Sequence, residues 1–270
     1  MRMRILVTGA GGFIGSNLTE SLTSSGFEVV GSDPFDEILY PKEIKMMNIS
    51  KSSTQCKLLS EAEIDAVDMN AIVHLGALPG LVQRSDAPRL YIEKNLLGTL
   101  DSLELAKKNR VKKYVYVSTS SVYGKSGIGD ETLKVNPISN YGLSKSLAEK
   151  LVIKFCSDEG INFTILRLFS VFGPRQRPDM AIHKILTSLI LDREFNVYSS
   201  LDSIRSNTFV FDVCNAIIAS LQSTSNGQIY NISGDEEISL RTWIDMAENL
   251  VGKKLQLKVT GPREGDQLIT

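Results

Sequence analysis

Residues 4–15 read Arg-Ile-Leu-Val-Thr-Gly-Ala-Gly-Gly-Phe-Ile-Gly, a short apolar run leading into Gly9, Gly12 and Gly15. Apolar residues at helical spacing follow: Phe13, Ile14, Leu18 and Leu22. The pattern predicts a strand, a tight glycine turn and a helix start, which aims backbone N–H groups and the positive end of the helix at a pyrophosphate. Gly9 permits the turn, Gly12 lets phosphates approach the backbone, and Gly15 lets helix and strand pack closely. A glycine triplet alone also serves plain packing. Here it follows a strand, and a second predicted strand, 27–32, ends at Asp33. A carboxylate about 20 residues past such a turn accepts hydrogen bonds from an adenosine ribose. No Arg or Lys lies between Asp33 and Tyr40. A 2′-phosphate would meet a carboxylate there, so NAD is expected rather than NADP.

Composition excludes other classes of partner. The 270 residues are 42% hydrophobic and 23% charged, with a net charge of −1. Such a balance gives no electrostatic case for nucleic acid or an anionic membrane surface. No apolar run approaches the ~20 residues needed to span a bilayer. The N-terminus reads as a core strand without a signal peptide, so a soluble cytoplasmic protein is expected. Cys56, Cys156 and Cys214 are far apart and form no metal-ligand spacing; they read as thiols in a reducing compartment, and no metal is expected.

Alternation organises the chain. A polar stretch, 34–69, carries a predicted short helix over 54–63. Strands are predicted at 71–75, 111–118 and 163–168, with helices at 88–108 and 140–158 between them. This β-α-β order argues a doubly wound α/β fold with a parallel sheet whose strand ends line one ligand-binding edge. The loop 173–178, Gly-Pro-Arg-Gln-Arg-Pro, breaks the alternation. Beyond it come predicted helices at 181–191, 212–221 and 240–251, and strands at 195–198, 208–210 and 228–232. The expected division is a dinucleotide-binding domain over 1–170, to which part of 208–232 returns, and a smaller α/β substrate-binding cap over 171–270.

Tyr141-Gly-Leu-Ser-Lys145 is the second strong signal. Four residues apart on a helix, the phenol and the ammonium share a face. A lysine ammonium favours the phenolate and draws the tyrosine's pKa down from about 10, so that Tyr141 can act as a general base. Such pairs are common on exposed helices; here the dinucleotide turn and the hydroxyl-rich stretch Ser118-Thr-Ser-Ser121 favour the functional reading. His74, in an apolar strand, reads as a satisfied core histidine. His183 reads as a surface or substrate-cleft residue.

With these pieces in place the chain resembles the extended short-chain dehydrogenase/reductase family, in its NAD-dependent nucleotide-sugar epimerase/dehydratase branch. The resemblance rests on Thr8–Gly15, Asp33, Val73-His-Leu-Gly-Ala77, Asn95, Ser118–Gly124, Asn136-Pro137 and Tyr141–Lys145. It extends through Arg167–Asp179, Tyr230-Asn231 and Arg263-Glu-Gly-Asp266. It implies that Gly9, Gly12, Phe13, Ile14 and Gly15 cradle the NAD pyrophosphate and Asp33 holds the adenosine ribose. Asn48 and Ile49 would lie beside the adenine; Leu75, Gly76, Ala77 and Asn95 would face the cofactor, and Phe169 would flank the nicotinamide. Thr119 would bond the reacting hydroxyl, Tyr141 would be the base, and Lys145 would bind the nicotinamide ribose. Ser170, Arg205 and Arg263 match substrate-binding positions, with Arg175 and Arg177 as further cations for a diphosphate. The family pattern continues beyond Asp266, so a cap truncated at its C-terminus is expected.

Branches that eliminate water, or decarboxylate, carry a carboxylate in the stretch that here reads Thr119-Ser120-Ser121. Its absence points to 4-epimerisation of a UDP-sugar of the UDP-glucose/UDP-galactose type through a 4-keto intermediate. The alternatives are a 4-reductase, an epimerase of UDP-glucuronate or a UDP-N-acetylhexosamine, and a non-catalytic NAD sensor. The resemblance also implies a homodimer packed through helices near 90–108 and 141–156.

Overall fold

A computed structural model describes residues 2–33, 42–51, 57–58, 68–80, 87–198 and 200–261. Its centre is a seven-stranded sheet, all of whose pairings are parallel. In chain order the strands are β1 (Arg4–Thr8), β2 (Glu28–Ser32), β3 (Lys57–Leu58), β4 (Ala71–His74), β5 (Lys113–Thr119), β6 (Asn162–Leu168) and, after three further strands, β10 (Gln228–Ile232). Their spatial order is β10-β6-β5-β4-β1-β2-β3. The order reverses between β1 and β4, which is where a doubly wound sheet opens a crevice at its strand ends.

Continuous apolar runs form the middle strands because both faces are covered. Ile5, Val7, Val73, Val115 and Val117 face helices α1 (Phe13–Ser24) and α7 (Val210–Gln222). Leu6, Ile72, Tyr114, Tyr116 and Ile165 alternate to the other face. That face is covered by α4 (Gly98–Lys108) and α5 (Asn140–Glu159). The predicted helix 88–108 is in fact α3 (Ala87–Tyr91), a π-helical stretch Ile92–Leu97, and α4. The wider π turn carries Asn95, which is fully buried.

Two expectations for the polar stretch change. Lys42–Lys51 is helical (α2), although its apolar residues form no single stripe: Met46 and Met47 are both exposed. Lys57-Leu58, expected within a helix, instead pairs parallel with β2, because the open sheet edge offers hydrogen bonds that a weakly amphipathic segment cannot match. The rest of that predicted helix lies outside the described residues.

After residue 168 come short strands, of which β8 and the end of β9 fall where strands are expected: β7 (Ser170–Phe172), β8 (Phe195–Val197), β9 (Ile204–Phe209), β11 (Glu237–Ser239) and β12 (Leu257–Val259). They form a three-stranded sheet, β11-β9-β7, and a β12-β8 pair. Helices α6 (Ala181–Ile190) and α8 (Leu240–Val251) close a separate apolar cluster containing Ile185, Leu189, Phe195, Val197 and Ile244. Among the described residues no helix is long and apolar enough to cross a membrane.

Candidate active site

The glycine turn connects β1 to α1 at the switch point. Gly9 has φ +69, and a Cβ there would stand 3.1 Å from the Leu75 and Gly76 backbone, where β4 ends. A Cβ on Gly15 would overlap the Gly9 carbonyl oxygen, so helix and turn touch backbone to backbone. Gly12 begins α1 with no side-chain cap, leaving the helix dipole directed at whatever lies before the turn. Such a cradle, which side chains would fill, fits a pyrophosphate.

Two side chains clamp the turn from outside. Asp33 accepts from the Gly11 amide at 3.1 Å, and Asn48 donates to the Gly11 carbonyl at 3.2 Å. Ile49 follows Asn48 in α2. Asp33 also takes an ion pair from Lys45 at 3.1 Å. The cation missing from 34–40 therefore arrives from α2, twelve residues on. Sequence reading missed it because α2 itself was not foreseen.

At the end of β4 a chain of hydrogen bonds settles proton positions. The Thr8 hydroxyl accepts from the Leu75 and Gly76 amides (3.2 and 3.0 Å), so it donates to His74 Nδ1 at 2.9 Å. His74 Nε2–H then donates to Thr99 Oγ1 (3.3 Å), whose own proton goes to the Asn95 carbonyl (2.6 Å). Burial, and then the Lys145 charge, push His74 down to about 3 and keep it neutral. The core role expected of His74 is the role it has. Asn95 bonds both backbone groups of Leu78 and the Ser144 hydroxyl (2.7, 3.1 and 2.9 Å). Its amide is spent joining the strand-end loop to α5, and Leu75, Gly76 and Ala77 stay half-buried beside the turn.

Thr119 ends β5 and caps a 3-10 turn, Ser120–Tyr123, by accepting from the Ser121 amide at 3.2 Å. Ser139 caps α5 through the Gly142 amide at 3.0 Å. Gly142 is pressed against the Ser121 carbonyl, 2.5 Å from where a Cβ would sit, which brings the first turn of α5 onto residues 119–121. The Thr119 hydroxyl thereby reaches the Tyr141 phenol. Burial raises the phenol's pKa; the Thr119 hydrogen bond and the Arg177 guanidinium pull it down. Lys145 was expected to supply that pull. Its ammonium instead donates to the Val117 carbonyl at 2.7 Å and lies 4.2 Å from the Tyr116 ring centroid, and burial lowers it to about 7. Phe169 is buried against Val122 and Tyr123. Ser170 opens β7 opposite Asn207.

The loop after β7 divides its two arginines. Arg175, with φ 65, pairs with Glu20 of α1 at 2.5 Å, and the Pro174 carbonyl accepts from Asn17 at 3.0 Å. Arg175 thus bridges the two parts of the chain. Arg177 is held by both Asp179 oxygens (2.9 and 3.0 Å), approaches Gly80 and acts on Tyr141. Beyond it a cavity of about 310 Å³ is lined by His183, Lys184, Arg193, Phe195 and Tyr198, which puts His183 in a cleft. Arg205 is half-buried in β9 opposite Ile238. Arg263 lies outside the described residues.

Comparison with known proteins agrees with this geometry. The model of the NAD dependent epimerase/dehydratase family matches residues 5–233. A UDP-glucuronate 4-epimerase of Thermodesulfobacterium geofontis is 32% identical over 279 residues, covering 98% of this chain and 86% of the relative. The crystal structure of UDP-glucuronic acid 4-epimerase from Bacillus cereus, in complex with UDP-glucuronic acid and NAD, is 33% identical. It superposes with a TM-score of 0.92 over 99% of this chain and 89% of that one. A UDP-glucose 4-epimerase from Thermus thermophilus, in complex with NAD, is 25% identical with a TM-score of 0.87, over 99% and 90% of the two chains.

Proposed function

Because this chain belongs to the NAD-dependent epimerase/dehydratase family, with NAD as its cofactor, we propose that it inverts C4 of a UDP-sugar, and that the sugar is glucuronate. The observation that carries the choice of sugar is the Arg177 guanidinium beside Tyr141. A C6 carboxylate hangs on C5, the ring neighbour of the reacting C4, and the Arg177 guanidinium, whose Nε and Nη2 are held by Asp179, would attract it by charge and exchange Asp179 for it. The hydroxymethyl group of UDP-glucose offers no charge to meet it. The likeness to the two UDP-glucuronate epimerases points the same way. The sequence reading placed glucose first and glucuronate among the alternatives; this order is now reversed.

In this reading Gly9, Gly12, Phe13, Ile14 and Gly15 hold the pyrophosphate, Asp33 the ribose, and Asn48 with Ile49 the adenine side. When bound, NAD takes the C4 hydride and returns it to the opposite face. Tyr141 takes the C4 hydroxyl proton and later gives it back; Thr119 orients the reacting oxygen; the Lys145 ammonium, one turn further along α5, binds the nicotinamide ribose. Thr119-Ser120-Ser121 carries no carboxylate to drive elimination. Arg205 and Arg263, with Lys184 and Arg193 on the cavity wall, receive the diphosphate and nucleotide. The boundary falls near residue 170: the part before it, with β10 returning, holds the cofactor, and the part after it holds the sugar nucleotide.

We also propose a homodimer. Ile92 and Leu97 on the π stretch and Leu143, Leu147 and Ile153 on α5 are apolar and 37–50% exposed. Two adjacent helices with such a face fit a second copy of themselves.

Incubation with NAD and separate UDP-sugars, followed by chromatography, tests the reading. UDP-glucuronate should be converted to its C4 epimer without net NADH. Conversion of UDP-glucose in preference to UDP-glucuronate, or of neither, would overturn it.

A further inference from the structure

We propose that Glu149, held by Arg167, is a positioning residue for the active site: it keeps the Lys145 ammonium charged and fixes helix α5 against the strand that ends in Thr119. This deepens the proposed mechanism and rests on Lys145 serving as the cation at the nicotinamide ribose.

Tyr141, Lys145 and Glu149 lie four residues apart and so share one face of α5. All three meet the last three residues of β5. Lys145 donates to the Val117 carbonyl at 2.7 Å, the Ser118 hydroxyl donates to Glu149 Oε1 at 2.5 Å, and the Thr119 hydroxyl reaches Tyr141. Arg167, on neighbouring β6, grips the same carboxylate through Nε to Oε1 (3.1 Å) and Nη2 to Oε2 (2.8 Å). Its Nη1 donates to the Tyr123 hydroxyl at 2.8 Å, and Tyr123 donates to Asn231 Oδ1 at 2.7 Å. The Glu149 and Arg167 side chains are each 5% exposed.

A buried ion pair is an expensive fastener. An apolar pair of similar volume holds a helix to a sheet at least as well. What an apolar pair cannot do is act on a neighbouring charge. Around Lys145 the Val117 carbonyl and the Tyr116 ring face favour the ammonium without carrying a charge, and His74 of β4 is neutral. Tyr141, on its own helix, faces Tyr91 of α3 and Arg177 of the loop. Among these, with Arg167 and Glu149, the Glu149 carboxylate alone is negative. Burial lowers Lys145 and the Glu149 carboxylate opposes it, which together leave the ammonium at about 7. Glu149 thus favours the ammonium near neutral pH.

The test is a titration of Lys145 in the protein without cofactor, by its 15Nζ resonance, assigned through its loss in Lys145→Met. Two variants are compared with the parent. Glu149→Gln leaves Arg167 without its anion; Glu149→Gln with Arg167→Met removes both charges and avoids a stranded guanidinium. The midpoint should fall by about one pH unit in the single variant, where the Arg167 charge is left in place, and by less in the double variant, where carboxylate and guanidinium charge go together. The alkaline limb of kcat against pH should move down with it. An unchanged midpoint in the double variant overturns the proposal, even if kcat drops, since that drop would then be structural. If only the single variant fails to fold, the double variant decides. A shifted midpoint in a protein that converts no UDP-sugar keeps this inference and sinks the proposed reaction instead.

Discussion

The two sides of the candidate active site are built on opposite terms. On the sheet side, β4 and β5 are buried at every position, and the polar side chains among them are spent on one another. Thr8, His74, Thr99 and Asn95 form one hydrogen-bonded chain; Ser118, Glu149 and Arg167 form another, beside the bond from Lys145 to the Val117 carbonyl. Beyond residue 170, β7, β8 and β9 bury only some of their positions, β12 is exposed throughout, and Lys184 and Arg193 line a cavity. Proton and hydride movement tolerate only small errors in geometry, so that chemistry belongs on the rigid side, with each reacting group locked by neighbours. Recognition of a charged substrate falls off more gently with distance and can be carried by loops.

The comparison breaks first at Tyr141. Tyr141→Phe removes only a hydroxyl from a packed ring, yet kcat should fall by about 10³-fold, within the range for loss of a positioned acid/base. NAD affinity should stay near the parent value, because the glycine turn and Asp33 do not touch the phenol. Calorimetry for NAD and single-turnover kinetics measure the two separately. Turnover within about tenfold of the parent would remove Tyr141 as the base.

On the loop side the effect should be smaller and depend on the substrate. Arg177→Ala should cost roughly 10- to 100-fold in kcat/KM for UDP-glucuronate, the scale of one charged hydrogen-bonded contact. A weaker loss, common to all substrates, should accompany it. Without the guanidinium the Tyr141 pKa rises further, so the acid limb of the rate profile moves to higher pH whatever the sugar. Asp179 is 45% exposed and is hydrated after losing its partner, so the fold should tolerate the change. Equal losses for UDP-glucuronate and UDP-glucose would show that Arg177 acts on the phenol alone, and glucuronate would lose its main support.

The same contrast decides what could be read in advance. Gly9 and Gly15 were legible because a backbone turn leaves no alternative to glycine where a Cβ has no space. The Tyr141–Lys145 spacing was legible because helical periodicity places two residues on one face without help from the rest of the fold. Partners brought together by the sheet were not. Glu149 and Arg167 are 18 residues apart, and no spacing rule pairs them before the fold buries them together. Asn95 sits on a π turn, which leaves no mark in apolar spacing, so its bonds to Leu78 and Ser144 could not be foreseen. Of the short strands after residue 168, β8 and the end of β9 were legible, whereas β7, β11 and β12, of three residues each, are too short for alternation to identify. Arg177 was one of two basic residues in a loop, and only the fold separates it from Arg175, which is spent on Glu20.

The smallest effect concerns the cofactor end, where the rigid side has one adjustable part. Asp33 alone should exclude a 2′-phosphate, but Lys45 lies 3.1 Å from its Oδ1, with its side chain 11% exposed. A cation beside the ribose carboxylate offsets the repulsion and is the kind of group that accommodates a 2′-phosphate in related folds. Lys45→Ala should therefore sharpen the preference for NAD over NADP by about tenfold, since a hydrogen bond to a charged group is worth roughly 1.5–3 kcal/mol and water entering the site offsets part of it. NAD affinity itself should change little, because Asp33 keeps the Gly11 amide as an anchor. Calorimetric titration of parent and variant with both dinucleotides gives the ratio directly. A preference that falls or stays the same would mean that Lys45 only orients Asp33, and that the carboxylate by itself sets the choice of cofactor.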